Sequence, residues 1–368
     1  MGNNVLSFQV DTNPVAIGTG LIALDVVLDE RTDTPPRLWT GGTCGNVLSI
    51  LAFLGWKSLP VSRLARDAAS RLIIRDLKRW GLGVDYISLA PTAPGPIVVH
   101  RIRQNSAGEP FHSFSLNCPD CGRHLPSYRP VPANAIEGVL AQVPKPNVFF
   151  ADRVSRGVIT LAESLRGRGA LVVFEPSGVS DESLFKEMLA LTHVLKYSHE
   201  RLPDLGISAD VPLIVETMGR GGLRYRSRIA GAQSKSWVRC EPHRLNRIVD
   251  TAGAGDWCTA GIVHVLGRYG SKAFKQIGLG KLQRAFAFGQ ALAAWNCGFL
   301  GARGGMYVVS KDEFHRTVSD ILEKGSHSMP DEDEPQKAKS KVVARVCSQC
   351  RELGKSISSR SFVRLMHG

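Results

Sequence analysis

"IVDTAGAGDWCTAGIVHVL", residues 248–266, sets two carboxylates, Asp250 and Asp256, around Thr251 and the small residues Ala252, Gly253, Ala254 and Gly255. An apolar run with a helical pattern follows. Small residues let backbone N–H groups turn inward and approach a ligand closely. A helix beginning near Asp256 adds its free N–H groups and the positive end of its dipole. Together they form a receptor for an anion, or for negative charge that develops during a reaction. Asp256 at its mouth can take a proton from an attacking hydroxyl while the loop holds the group being transferred. The competing reading is a plain helix N-cap, a position that Asp favours.

Around this loop, apolar strand-like runs alternate with helical patterns. Strands are expected at 16–20, 97–103, 148–151, 170–175, 193–197 and 212–216. Helices are expected near 43–54, 67–80, 133–143, 156–168, 180–191, 256–269, 273–295 and 311–323. Such alternation predicts a mainly parallel sheet with helices on both faces. Buried parallel strands read as unbroken apolar runs, as ALVVF does. Residues 91–131 depart from the pattern. IVVHRIR and FHSFSL flank QNSAGEP there, which predicts a β-hairpin extension projecting from the α/β body. GSHSMPDEDEPQKAKSK, 325–341, has the composition of a flexible linker. A short basic segment, 342–368, follows it.

The 368-residue chain is 43% hydrophobic and 21% charged, the profile of an ordinary globular protein. It holds no apolar run long enough to span a bilayer. MGNNVLSFQVDTN lacks the basic start and apolar stretch of a secretory signal, so a cytoplasmic setting is expected. The net charge of +13 comes with no recognition-helix or RNA-binding motif, so neither a specific nucleic acid nor a membrane is expected as partner. A basic field does favour a site that handles polyphosphate.

GGTCGNVLSILAFLG, 41–55, places Val47, Ile50, Leu51 and Leu54 at i, i+3, i+4 and i+7, an amphipathic helix. The pair Gly41-Gly42 lets a small ligand sit against the backbone, and Asn46 offers a donor and an acceptor to hydroxyls. Turn and cap chemistry is the alternative for Asn46 and for Asp25. Residues 213–227 read as strand, Gly turn, strand.

Asp250-Thr251-Ala252-Gly253-Ala254-Gly255-Asp256 resembles the D-T-x-G-A-G-D motif of the ribokinase-like (PfkB) carbohydrate and nucleoside kinases. GGTCGN is similar to that family's N-terminal Gly-Gly and Asn motif. The resemblance covers roughly residues 14–323. It implies a three-layer α/β/α sandwich with a mainly parallel sheet and a small β lid at 91–131, a kinase domain over 1–324, and transfer of the ATP γ-phosphoryl group to a sugar or nucleoside hydroxyl with Mg2+. It makes Asp256 the catalytic base and Gly253, Ala254 and Gly255 the anion hole. It places Asp25, Gly41, Gly42 and Asn46 on the substrate. Thr217, Gly219 and Gly222 match its T-x-G-x-x-G turn beside the ATP phosphates, with Thr251 also on the nucleotide side. KYSHERL, 196–202, stands where the family has N-x-x-E. Taking Glu200 as the acid sets Tyr197 at the Asn, whereas aligning Ser198 to the Asn sets Arg201 at the acid. GARGG, 301–305, resembles the nucleotide loop at the end of the fold. Lid strands in this family often pair between subunits, which implies a homodimer. A nucleoside-specific kinase and a non-catalytic regulator that kept the fold are the other readings.

NCPDCGRH, 117–124, and VCSQCR, 346–351, are two C-x-x-C pairs. Four thiolates, Cys118, Cys121, Cys347 and Cys350, suit a tetrahedral structural Zn2+ if folding joins them. Four free thiols, or two redox pairs, are the alternatives.

Overall fold

The computed structural model describes residues 13–32, 34–104, 106, 110–202, 210–327 and 347. Its main sheet has nine strands. In chain order they are β1 (Val15–Thr19), β4 (Lys57–Leu64), β5 (Ile87–Leu89), β8 (Val148–Ala151), β9 (Leu171–Phe174), β10 (Val194–Ser198), β11 (Leu213–Thr217), β12 (Leu223–Ser227) and β13 (Val238–Cys240). They lie in the order β13-β12-β11-β10-β9-β8-β1-β4-β5. All neighbours from β11 to β5 run parallel, and only β12 and β13 are antiparallel.

Side chains along each central strand alternate between two buried clusters. Val148 and Phe150 of β8, with Leu171 and Val173 of β9, point into one. Phe149 and Ala151, with Val172 and Phe174, point into the other. Both faces of the sheet are therefore dry, which is why these strands read as continuous apolar runs. The first face is covered by α1 (Thr43–Phe53), α2 (Ala68–Arg79), α6 (Ala254–Leu266), α8 (Leu279–Cys297) and α10 (Lys311–Lys324). The second is covered by α3 (Ile136–Gln142), α4 (Arg156–Gly167) and α5 (Glu182–Leu191). This is the expected three-layer α/β/α sandwich. Side-chain caps start several helices: Asp67, Ser155, Asp181 and Ser310 accept from the N–H three residues on. Short helices α7 (Gly270–Phe274) and α9 (Gly304–Val308) and a small pair, β14 (Arg244–Leu245) with β15 (Ser326–His327), complete the body.

A second, four-stranded sheet is built from two separate stretches. β2 (Ala23–Asp29) and β3 (Arg37–Gly41) join β6 (Ile97–Gln104) and β7 (Pro110–Ser115), in the order β3-β2-β6-β7. The hairpin read at 97–115 is its outer half, β6 and β7 pairing antiparallel. β2 runs parallel to β6, so Asp25 stands inside a lid strand opposite Val98 and Trp39. Val27 and Ile102 of this sheet pack against Leu300 of the body, with Trp39 and Val249 beside them. No helix among the described residues is long and apolar enough to cross a membrane.

Candidate active site

The carboxyl ends of the parallel strands carry the polar residues, as open α/β sheets require of a ligand site. Asp152 follows β8, Glu175 follows β9, Lys196 lies near the end of β10, and Thr217 closes β11. The 248–256 loop meets this edge.

Helix α6 begins at Ala254 rather than at Asp256. Its N-cap is Gly253, at φ 74° and with no side-chain cap. A Cβ at Gly253 would fall 2.3 Å from the Ala302 carbonyl, so the turn demands glycine. Asp256 is thus in the first helical turn, not at the cap. Asn46 Nδ2 donates to Asp256 Oδ2 at 2.6 Å. The loop is braced from below: Asp250 accepts from the N–H groups of Ala252 at 3.0 Å and Gly301 at 2.9 Å. Asn296 Nδ2 donates to the Ala252 carbonyl at 2.8 Å. The Ala254 N–H leans back to the Thr251 carbonyl at 3.3 Å. The N–H groups of Gly253, Gly255 and Asp256 have no acceptor among the described residues. The 253–256 turn therefore presents three N–H donors, with Ala254 the one partly engaged.

Asp25 and Asp256 share a neighbourhood. Burial pushes the Asp256 carboxyl up to about 7, and the Glu175 carboxylate adds to the rise; the Asn46 donor, Lys196 and Arg201 oppose it. Burial likewise lifts Asp25 to about 7, with Asp256 adding to it and Arg303 opposing. Both residues keep a partial opening to solvent, so they line a cleft rather than a sealed core. Gly41 is there for Asp25: a Cβ at 41 would fall 1.8 Å from Asp25 Oδ2. The room at Gly42 is likewise taken by the chain itself, the Leu21 carbonyl lying 2.4 Å from where a Cβ would stand. The two glycines make space for the site's own atoms.

Several residues that sequence reading missed hold this arrangement. Arg303, in the GARGG loop, is 1% exposed. Its Nε donates to Asn46 Oδ1 at 3.1 Å, and its Nη2 reaches the Thr40 carbonyl and Asp76 Oδ2. Both polar atoms of Asn46 are thus engaged by the protein. Lys196, also buried, pairs with Glu175 Oε1 at 2.5 Å, and Thr259 Oγ1 donates to Glu175 Oε2 at 2.5 Å. Lys196 Nζ would lie 3.8 Å from a Cβ on Gly255, directly beneath the anion hole. Asp152 accepts from the Leu21 N–H at 2.9 Å and pairs with Arg153; burial raises it to about 6. A lysine inside the apolar run HVLKY, and acids directly after VFFA and LVVF, were the available signals.

On the nucleotide side, β11 and β12 form the expected strand–turn–strand. Met218 N–H donates to the Gly222 carbonyl at 2.8 Å, and Thr217 Oγ1 to the Tyr197 carbonyl at 3.3 Å. Glu200 Oε1 lies against Gly219, 3.5 Å from where a Cβ would stand. Arg201, one residue on, lends positive charge to Asp256. Thr251 Oγ1 faces the lid instead, 3.0 Å from His112 Nδ1. Cys118, Cys121 and Cys347 come together away from the phosphate loop. Cys350 lies outside the described residues.

No family model matches the chain, and no curated protein matches it. Solved structures do. A fructokinase from Xylella fastidiosa with bound ATP superposes with a TM-score of 0.64 at 17% identity, covering 84% of this chain and 98% of that one. A ribokinase from Arabidopsis thaliana complexed with ribose and ATP gives 0.58 at 16%, covering 84% and 99%. A Methanocaldococcus jannaschii nucleoside kinase, described as an archaeal member of the ribokinase family, gives 0.58 at 15%, covering 84% and 98%. The chain has the ribokinase-like fold of the sugar and nucleoside kinases, along nearly the whole length of those proteins.

Proposed function

We propose that this protein is an ATP-dependent kinase that transfers the γ-phosphoryl group to a hydroxyl of a sugar or a closely related polyol. The observation that carries the reading is Asp256: a carboxylate with a raised pKa, held by Asn46, next to the N–H groups of Gly253 and Gly255 at the start of α6, which have no acceptor among the described residues. Asp256 accepts the proton as the substrate oxygen bonds to the γ-phosphorus and the bond from that phosphorus to the leaving ADP oxygen breaks. The 253–256 amides bind the equatorial oxygens, and the Lys196 charge beneath Gly255 adds to the field there. Thr217, Gly219 and Gly222 hold the nucleotide phosphates. Glu200, at that turn, is the carboxylate that would hold Mg2+, which offsets charge on the transferring group.

The substrate class follows from what the lid leaves uncovered. Val27 and Ile102 are buried against Leu300, and the Trp39 ring stacks on Tyr307 at 4.6 Å. Those apolar groups are thus already used inside the protein. Asp25 remains as an acceptor for hydroxyls, which suits a polyhydroxylated ligand more than a nucleobase. β7 is an edge strand that exposes Phe111 and Phe114, with Leu116 exposed just after it, which supports a homodimer formed through the lid. A cytoplasmic setting belongs to the same reading.

The test is a panel of sugars, polyols and nucleosides assayed for ADP release, with Asp256→Asn as control. Turnover on a sugar that disappears in the variant is expected. Equal background in both proteins would favour the non-catalytic reading, and turnover confined to nucleosides the nucleoside one.

A further inference from the structure

Three thiols from well-separated stretches of the chain meet at the root of the lid. After β7 the chain folds back on itself, Asn117 bridging His124. Inside this turn the Cys118 N–H donates to the Arg123 carbonyl and the Gly122 N–H to the Cys118 carbonyl, both at 2.8 Å. The turn closes at Gly122, φ 70°. The backbone N–H groups of Asp120 and Cys121 face the Cys118 sulfur, so the loop curls its donors around one sulfur atom.

The sulfurs of Cys118, Cys121 and Cys347 all lie within 4.8 Å of one another. Cys347 is the one described residue beyond His327. It is 4% exposed, and it belongs to the same buried cluster as Cys118. None of the three forms a disulfide among the described residues. Simple burial would face each cysteine toward hydrocarbon. A disulfide would join two and leave the third sulfur idle beside them. A divalent soft ion uses all three: tetrahedral thiolates about 2.3 Å from zinc stand about 3.8 Å apart, slightly closer than the observed limit.

We propose that Cys118, Cys121 and Cys347 bind a structural Zn2+ that ties Cys347 to the base of the lid. The clamp acts on the lid's hinge side. Ile97, the first residue of β6, donates its N–H to Pro126, and Leu125 donates to Leu116, so the cysteine turn is tied to the strand that carries the lid. Leu24 of β2, Ile97 and Leu125 lie in the same cluster as Cys118. The metal fixes the base of the hairpin. The site is independent of the phosphoryl-transfer reading, because none of its ligands lies in the 248–256 loop.

The experiment is metal analysis of the full chain after exhaustive dialysis, alongside Cys118→Ser, Cys347→Ser and, as control, Cys240→Ser. One zinc per chain is expected in the parent and the control, with most of it lost in the two cluster variants. Cobalt exchanged into the parent should give intense sulfur-to-metal charge-transfer absorption that Cys347→Ser abolishes. Circular dichroism of Cys347→Ser, whose substitution lies outside the kinase body, should match the parent, which separates metal loss from unfolding. A parent free of metal whose intact mass shows a disulfide, or full zinc retention in Cys347→Ser, would overturn the proposal.

Discussion

Asn46 Nδ2 donates to Asp256 Oδ2 across 210 residues of sequence, while Arg303 Nε holds the other end of the same amide. Asp76 anchors Arg303 in turn and also accepts from Tyr307 and from the Thr40 N–H. The proposed base is therefore oriented by a relay that starts at α2. Asn46→Ala removes one donor from Asp256 and leaves the Arg303 Nε unpaired. A buried group left without its partner costs about 1–3 kcal/mol, which corresponds to roughly a tenfold to hundredfold loss in kcat/KM if it falls on the transition state. Because the Asn46 bond holds the Asp256 pKa down, its loss should also move the acid limb of the pH–rate profile to higher pH. A purely structural Asn46 would lower the rate without moving that limb.

The pH dependence of stability follows from the same carboxyls. Asp25 and Asp256 ionise near pH 3.8 when unfolded and near 7 when folded. Between those values the folded chain binds more protons than the unfolded one, so their contribution to stability declines as pH rises from about 4 through 7. Asp256→Asn removes one of the two charges that burial opposes. Thermal melts should show the variant more stable than the parent, with a larger difference at pH 8 than at pH 5. Its activity should fall on the order of a hundredfold to ten-thousandfold, the usual contribution of a general base. A variant that melts below the parent at pH 8 would show that Asp256 is not held against burial.

Much of this was legible in the chain. The apolar runs at 148–151, 170–175, 193–197 and 212–216 became central strands because both faces of the sheet are buried. β4 was not legible: Pro60 sits within it, and proline is rare in central strands, yet here it pairs in register with Gly18. β2 and β3 escaped notice because Asp25, Asp29 and Arg37 interrupt their apolar pattern. In the site, the 250–256 loop announced itself through local sequence. Lys196, Glu175 and Arg303 did not, because their meaning comes from partners more than twenty residues away, and only the fold brings those together. The same holds for Cys347, whose proximity to Cys118 no spacing rule could supply.

The lid touches the phosphate loop through His112 of β7 and His100 of β6, the latter 3.9 Å from Asp250 Oδ2. His112 of β7 lies 3.0 Å from Thr251 Oγ1 and 3.6 Å from Asp250 Oδ1. If closure of the lid excludes water from the phosphoryl group, this contact reports closure. His112→Ala should raise the KM for the sugar several-fold, the effect of losing one hydrogen bond worth about 1 kcal/mol. It should also raise ATP hydrolysis in the absence of sugar relative to transfer. Steady-state ADP release with and without acceptor separates the two. An unchanged ratio would mean that the His112 contact plays no part in closure.

Lys196 and Glu175 form a pair that serves stability and the proposed chemistry in different ways. Lys196 is 2% exposed and its ammonium lies beneath Gly255, whereas Glu175 also accepts from Thr259 on α6. Lys196→Met leaves the Glu175 carboxylate buried without its cation, and breaking such a pair costs about 3–5 kcal/mol. It also withdraws positive charge from Asp256, so the acid limb of any residual activity should move up in pH. Combining it with Glu175→Gln removes the stranded charge and keeps an acceptor for Thr259. The double variant should therefore recover most of the lost melting temperature. It should not recover kcat, because the cation under the anion hole is still missing. Recovery of both would assign Lys196 to the fold alone, whereas recovery of stability without rate would place its charge in the transfer step.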